Sequence, residues 1–164
     1  MKKISILSVV LMLLSTLLLF AEGNKAGFGN LSKNSQAPIE AIADNMVVDS
    51  EQSKAELSGN VEIIQGDMHL YAEFVRVIYE DERSDINRLY AQKNVILISG
   101  QDRASADEAD YDLERGSIIL KGNTSIIQDG NIARAEQAEI DIDTGAATLS
   151  GRVRTILQSD EDVD

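Results

Sequence analysis

Residues 43–63 read ADNMVVDSEQSKAELSGNVEI, and the same arrangement returns three more times along the chain. Each copy begins with an alanine that is followed by further apolar residues three and five positions later, and the four alanines are 29, 34 and 29 residues apart. A repeat of this length is typical of an array in which no single unit can bury its apolar face alone. We therefore predict one domain of stacked repeats. The copies begin Ala43-Met46-Val48, Ala72-Val75-Val77, Ala106-Ala109-Tyr111 and Ala135-Ala138-Ile140.

Apolar residues within each copy alternate with period two, which indicates β-strand. The alternation slips by one residue after each alanine, and a slip turns the wrong side chains inward unless the strand bends there. We therefore predict four corners. A second strand in each unit follows the pattern Leu-x-Gly-Asn-Val-x-Ile, as in Leu57 to Ile63, whereas the second copy has Lys93-Asn94 in place of Gly-Asn. The expected fold is all-β, an open antiparallel sheet of four two-strand repeats with one face turned inward.

The N-terminus has the features of an export signal. Lys2 and Lys3 precede an apolar run over residues 4–20, and Ala21 offers a small residue for cleavage. We predict a cleavable signal peptide over 1–21, a flexible segment over 22–38, the β domain over 39–157 and an acidic tail over 158–164. An uncleaved leader that anchors the chain in the inner membrane is the alternative.

The charge balance excludes several partners. The chain carries 28 acidic residues against 15 lysines and arginines, a net charge of −13, and it has no cysteine. Such a chain repels nucleic acid and anionic membrane surfaces, because phosphate binding needs clustered basic side chains. The absence of cysteine excludes disulfides and a lipid-modified cysteine. The sequence also has no phosphate-binding loop with a lysine, so the chain itself has no motif for using ATP as an energy source.

Few residues suggest catalysis or metal binding. His69 is the sole histidine and lies between two inward positions, so we expect it to face solvent. The acidic stretch 141–145 fits a hairpin turn better than a calcium loop, since the further oxygen ligands are missing. Asp107 and Asp110 are expected to lie on a solvated face. We therefore predict no enzyme activity, no cofactor and no metal site.

The inward face and the sheet edges are the candidate sites. Small inward residues such as Ala106 and Ala135 predict an under-filled apolar interior, which is either a flattened core or a ligand groove. Unpaired edge strands bind partners by strand addition. The candidate groove residues are Ile39, Ala41, Met46, Val48, Leu57, Val61, Ile63, Leu70, Val75, Val95, Leu97, Ala109, Tyr111 and Leu120. The candidate edge residues are Ile39, Ala41, Ala43, Leu149, Val153 and Thr155.

The paired patterns Ala43-Asp44-Asn45-Met46-Val47-Val48-Asp49 and Leu57-Ser58-Gly59-Asn60-Val61-Glu62-Ile63 resemble the OstA-like domain family of LptA-type lipopolysaccharide-transport proteins. The resemblance covers residues 39–157. It implies a β-jellyroll, or β-taco, that is open along one side, lies in the periplasm and holds the acyl chains of lipopolysaccharide. It also implies an inner-membrane LptC-like partner at the N-terminal edge, an outer-membrane LptD-like translocon at the C-terminal edge, head-to-tail self-association, and an ATP-driven transporter that supplies the work.

Three other interpretations remain open at this point. A retained leader would favour a membrane-anchored relative that resembles LptC. A β-solenoid scaffold that binds proteins and no lipid has the same repeat pattern. An enzyme would require turnover that depends on His69 or on the pair Asp107 and Asp110. The acidic tail also departs from the longer, more basic tail of other family members, which bears on the C-terminal partner contact.

Overall fold

The computed structural model describes residues 28, 31, 36–80 and 85–158, and the predicted leader and the end of the acidic tail lie outside them. In the described repeat region all regular elements are strands, as predicted. In the described part of the chain no helix is long and apolar enough to cross a membrane. The strands are β1 (Ile39–Ile42), β2 (Asn45–Asp49), β3 (Lys54–Gln65), β4 (Met68–Tyr79), β5 (Ile86–Ser99), β6 (Asp102–Asp112), β7 (Ser117–Gln128), β8 (Asn131–Asp141), β9 (Ala147–Ser150) and β10 (Arg154–Ile156).

These strands form one antiparallel meander in the order β1-β3-β4-β5-β6-β7-β8-β10. β2 also pairs with β3, so β1 and β2 act as one strand that is broken at a corner. β9 and β10 stand in the same relation to β8. Four two-strand units are therefore present, as the repeats predict. Pro38 stands immediately before β1, where its missing N–H costs no ladder bond.

Each unit bends at the predicted corner. In the first unit the register between β3 and β4 shifts at Gly59 and Asn60, which both adopt positive φ, 79° and 44°. Glycine adopts this left-handed conformation freely and asparagine tolerates it better than most residues. The same pair of positive φ values recurs at Lys93-Asn94, Gly122-Asn123 and Gly151-Arg152. The strand that contains the Leu-x-Gly-Asn pattern thus bends at this pattern, next to the alanine-containing strand of its own unit.

The corners fold the sheet onto itself. Tyr111 Oη donates a 2.8 Å hydrogen bond to Gln65 Oε1, although these residues lie on β6 and β3, at opposite ends of strands that are three places apart. Neighbouring strands are about 4.8 Å apart and each residue adds about 3.3 Å, so a flat sheet would separate the two side chains by tens of ångströms. The sheet therefore forms two leaves that face each other. We call the side opposite the corners, where the strand ends of both leaves meet, the mouth.

The space between the leaves is an apolar core to which most strands contribute alternate residues. Phe28 and Leu31 belong to this core and are 1% and 2% exposed, although the sequence predicts a flexible lead-in for residues 22–38. The difference has a physical reason, because two large apolar side chains gain more by filling the interior than by facing water. The other residues between 22 and 35 lie outside the described part.

Candidate functional site

The structure brings the predicted inward residues together between the two leaves. Ten of the fourteen are at most 3% exposed. Ile39 is half-buried and packs on this core, whereas Ala41, Met46 and Val48 are exposed on β1 and β2. The ten buried residues are Leu57, Val61, Ile63, Leu70, Val75, Val95, Leu97, Ala109, Tyr111 and Leu120.

The apolar interior is sealed in the middle of the array and exposed at its two ends. Met46 and Val48, opposite Leu57 and Ala55 on the inward face, are 55% and 60% exposed. At the C-terminal end Val153 is 51% exposed and Leu157 is 73% exposed. The inward face thus continues past the sealed core to apolar residues that solvent reaches at both edges.

Side-chain size differs from strand to strand across the interior. The inner faces of β3 and β4 carry leucine, isoleucine, valine and methionine, as at Ile63 and Leu70. The inner faces of β6 and β8 carry mainly alanine, at positions 104, 106, 109, 133, 135 and 138. Between these two strands, the inner face of β7 carries the large side chains Ile118, Leu120 and Ile126. The same core also includes Phe28 and Leu31. The sequence offered a weak signal for them, since they are large apolar residues within an otherwise polar segment.

The inner face of one leaf ends in polar residues at the mouth. Gln65, Ser99, Asp102 and Gln128 stand near one another at the ends of their strands. Besides accepting from Tyr111, Gln65 donates from Nε2 to the carbonyl oxygen of Ala37 at 3.2 Å. Burial raises the pKa of Tyr111 to about 12, because the charged phenolate loses its water. The Tyr111 hydroxyl therefore stays protonated at neutral pH and donates its hydrogen bond to Gln65 across the mouth.

The two edges of the sheet carry opposite charge. The stretch 39–49, which includes β1 and β2, contains Glu40, Asp44 and Asp49 and no basic residue. The stretch 147–156, which includes β9 and β10, contains Arg152 and Arg154 and no acidic residue. Of the predicted edge residues, Ile39, Ala43 and Leu149 are partly buried against the core, and Ala41, Val153 and Thr155 are exposed.

The residues considered for catalysis have structural partners. His69 is half-exposed and its Nδ1 lies 2.9 Å from Glu62 Oε1, a hydrogen bond that lowers the pKa of Glu62. Asp110 binds Arg88 through two hydrogen bonds of 2.6 and 2.8 Å. Asp141 Oδ1 accepts hydrogen bonds from the backbone and the hydroxyl of Thr144, which closes the predicted turn. Within the described residues no group of three or more such side chains is placed to hold a metal ion.

The chain is similar to known proteins in sequence and in fold. The family model of the LptA/(LptD N-terminal domain) LPS transport protein matches residues 40–155. An uncharacterised protein of Rhizobium meliloti (strain 1021) is 28% identical over 117 residues, which cover 67% of this chain but only 63% of that relative. The crystal structure of LptH, the LptA homologous periplasmic component of the lipopolysaccharide transport device of Pseudomonas aeruginosa, matches with a TM-score of 0.71 at 17% identity. That match covers 77% of this chain and 99% of LptH, and it shows a common jellyroll-like fold.

Proposed function

This chain belongs to the LptA/LptD N-terminal-domain family of lipopolysaccharide-transport proteins, and we propose that it is a periplasmic bridge protein that carries lipopolysaccharide between the two membranes. The family consists of transport proteins, not enzymes. The observation that supports the bridge most directly is the apolar inward face, which runs through the whole array and reaches solvent at both edges.

The energetics of acyl chains favour such a path. Burying one methylene group is worth about 0.8 kcal/mol, so a chain of on the order of ten methylenes gains roughly 8 kcal/mol in an apolar interior. Release of the acyl chains into water is therefore strongly unfavourable. Transfer of the lipid from one protein to the next is nearly isoenergetic only where the apolar interiors of the two proteins are continuous. The open ends at Met46 and Leu157 suit that continuity. The work of transport then comes from an ATP-driven partner.

We assign the partners by edge. The N-terminal edge receives an inner-membrane LptC-like protein, the C-terminal edge meets an outer-membrane LptD-like translocon, and copies of the chain stack head to tail between them. Opposite edge charges support the stacking. Arg154 stands directly opposite Arg134 in the β8–β10 pair, and like charges in that position are unfavourable unless an acidic partner offsets them.

A second candidate is a protein-binding scaffold without lipid, which the sealed middle of the interior favours. We therefore place the decisive test at the open N-terminal end, with Val48→Asp and its matched control Val47→Asp. The two residues are neighbours on β2 and similarly exposed, but Val48 faces inward, opposite Ala55, and Val47 faces outward, opposite Glu56.

Each variant is titrated with an environment-sensitive fatty-acyl probe and then with lipid A as competitor. A bridge protein binds the probe, releases it to lipid A, and loses roughly tenfold or more in affinity in Val48→Asp, because a carboxylate does not desolvate cheaply. Val47→Asp stays within about twofold of the parent, since outward substitutions are nearly neutral. Probe binding that neither substitution changes, or no binding at all, favours the scaffold.

A further inference from the structure

The two leaves present different side chains to solvent on their outer faces. The corners divide each long strand between a leaf that includes β1 and β10, which we call the β1 leaf, and a leaf that includes β2 and β9, the β2 leaf. The outer face of the β2 leaf carries charged side chains that pair with one another, as Arg76 does with Glu56 at 3.1 Å and Arg88 with Asp110 at 2.6 Å. The outer face of the β1 leaf instead carries a line of isoleucines, and exposed apolar surface of this kind marks a contact site.

One cross-strand row near the mouth contains five isoleucines. Its members lie opposite one another from β3 to β10, interrupted only by His69 and Arg103. They point away from the interior, because chain neighbours such as Ile63 are buried between the leaves and side chains alternate along a strand. Solvent reaches the row, since Ile127 and Ile156 are 40% and 44% exposed. We call these five residues the isoleucine row: Ile64, Ile98, Ile127, Ile132 and Ile156.

The neighbouring row of the same face carries opposite charges toward its two ends. On β3 it has Glu62, whose Oε1 lies 2.9 Å from His69 Nδ1, and on β8 it has Arg134. β3 and β8 are each second from an end of the meander, so the two charges lie at equal distances from its middle, between β5 and β6. The residues between them in this row are the uncharged Tyr71, Ile96, Ser105 and Ser125.

This arrangement is complementary to itself. A two-fold axis parallel to the strands and between β5 and β6 places a second copy face to face with the first and exchanges β3 with β8. Glu62 then lies over Arg134 of the second copy, and Ile64 lies over Ile132. An isologous contact requires one surface to match itself in this way, and complementary charges fix its orientation. Arg103 lies near the axis, over an isoleucine, and forms no charged pair there.

We propose that the isoleucine row and the charges beside it form a face-to-face contact between two copies of the chain. Head-to-tail stacking uses the edge strands and continues from copy to copy, whereas this contact uses the outer face of one leaf and closes on itself. Eight strands about 4.8 Å apart and four residues of about 3.3 Å each give a face of roughly 450 Å². Two such faces bury on the order of 900 Å², which is less than a stable interface needs. The dimer is therefore weak and forms at high concentrations of the chain.

Because the chain has no cysteine, a single cysteine beside the proposed axis reports the contact. Ser105 lies on β6 in the β1 leaf, and its two copies would be about 11 Å apart across sheets that pack about 10 Å from each other. Glu108→Cys, on the same strand beyond the corner, is the control, because it places the thiol on the outer face of the β2 leaf. Each full-length variant is treated at high concentration with a short bismaleimide. We expect covalent dimers of Ser105→Cys and few of Glu108→Cys. Stacking does not link Ser105→Cys to itself, since equal residues of stacked copies are roughly 35 Å apart.

Further substitutions in the Ser105→Cys chain test the individual contacts. Ile98→Asp should lower the yield of covalent dimer at least roughly fivefold, because the second copy would desolvate the carboxylate. Ile119→Asp, which changes another half-buried isoleucine but on the outer face of the β2 leaf, should stay within about twofold. Glu62→Arg should lower the yield severalfold, since it would face Arg134 of the second copy. Arg134→Glu in the same chain should restore the yield.

Several outcomes would overturn the face-to-face contact. Absence of covalent dimer in Ser105→Cys would do so, as would equal yields for Ser105→Cys and Glu108→Cys. A yield that Ile98→Asp leaves unchanged, or that Arg134→Glu does not restore in the Glu62→Arg chain, would also contradict it. Urea unfolding checks that each variant is folded, and the charge exchange decides the question if Ile98→Asp does not fold. None of these results depends on lipid binding, so the bridge function is tested separately.

Discussion

Asn123 donates a 2.8 Å hydrogen bond from Nδ2 to Asp107 Oδ2 and thereby ties the two strands of the third unit together at their corner. Asn60 makes the same 2.8 Å bond to Asp44 in the first unit, and Arg152 bonds Glu136 at 2.9 Å in the last. In the second unit Asn94 donates to Glu73, so the acid after each of the four repeat alanines has a defined partner at the corner of the second strand of its unit. This repeated contact explains two parts of the sequence motif, the acid that follows the alanine and the polar residue at the corner of the second strand.

Removing one corner bond should destabilise the sheet modestly. We expect Asp107→Ala to lower the free energy of unfolding by about 1 kcal/mol, the usual net value of such a bond. In a double-mutant cycle with Asn123→Gly, which keeps the left-handed backbone, the coupling should be about 0.5–1.5 kcal/mol. Urea unfolding measures both, with Glu108→Ala on the same exposed face as the neutral control. Zero coupling would show that the corner does not depend on this bond.

Replacing the corner glycine by alanine should destabilise the protein. A Cβ at Gly59, where φ is +79°, would come 2.5 Å from Asp44 Oδ2, and the left-handed backbone adds about 1 kcal/mol of strain. Gly59→Ala should therefore cost about 1–3 kcal/mol. Gly100→Ala is the matched control, because Gly100 has a similar φ of +61° but nothing within 4 Å of its Cβ position. Equal losses in the two variants would show that close approach to Asp44 contributes nothing.

Lys93 occupies the position that glycine holds in the other three units, with φ of 64°. Because a non-glycine residue is strained there, we predict that Lys93→Gly stabilises the protein by roughly 0.5–1 kcal/mol. Lys121→Gly, within the extended part of β7, should instead destabilise it by a similar amount. Thermal unfolding of the two variants checks the signs. Destabilisation by Lys93→Gly would contradict the strain argument.

The mouth should weaken at high pH. Tyrosine in an unfolded chain titrates near pH 10, whereas burial raises the pKa of Tyr111 to about 12 in the folded protein. The folded state thus favours the protonated hydroxyl, so this contribution is complete below pH 10 and is lost as the pH rises toward 12. The loss should be on the order of 2 kcal/mol.

Tyr111→Phe provides the control for that prediction. It removes the titrating hydroxyl and the bond to Gln65, so it should be less stable near neutral pH and should lose less stability than the parent between pH 10 and 12. Denaturant unfolding at a series of pH values gives both quantities. Parallel pH profiles for the two proteins would exclude Tyr111 as the titrating group.

Charge reversal should control stacking between copies. Arg154→Glu places an acid at the basic edge opposite the acidic edge of the next copy, and we expect three- to tenfold weaker self-association at low salt, roughly the value of an exposed pair and its reversal. Glu40→Arg in the same chain should restore it. Arg103→Glu, on β6 away from both edges, is the control. Sedimentation that does not differ among the four proteins would contradict assembly through these edges.

Local pattern was sufficient to predict the strands, the corners and most of the buried strand residues. The slip in alternation after Ala72 and the glycine at position 122 both reflect the local backbone conformation. Such features can be recognised from the neighbouring residues alone. The turns at Gly66 and Gly130 were predictable for the same reason.

The closure of the mouth was not predictable. The bond between Gln65 and Tyr111 joins residues 46 positions apart, and no period or propensity encodes which strand ends meet once the sheet folds over. Burial of Phe28 was missed for a related reason, since the core in which it lies is built by residues of distant strands. Both features depend on the assembled leaves and not on the segment that contains them.

The central claim is that acyl chains travel between the leaves, and site-specific photocrosslinking in cells that make lipopolysaccharide tests it most directly. A photoreactive residue at Leu97, buried on the inward face of β5, is compared with one at its outward neighbour Ile96. The account predicts a lipopolysaccharide adduct at position 97 and none at position 96. Adducts of equal yield at both positions, or an adduct at position 96 alone, would contradict it.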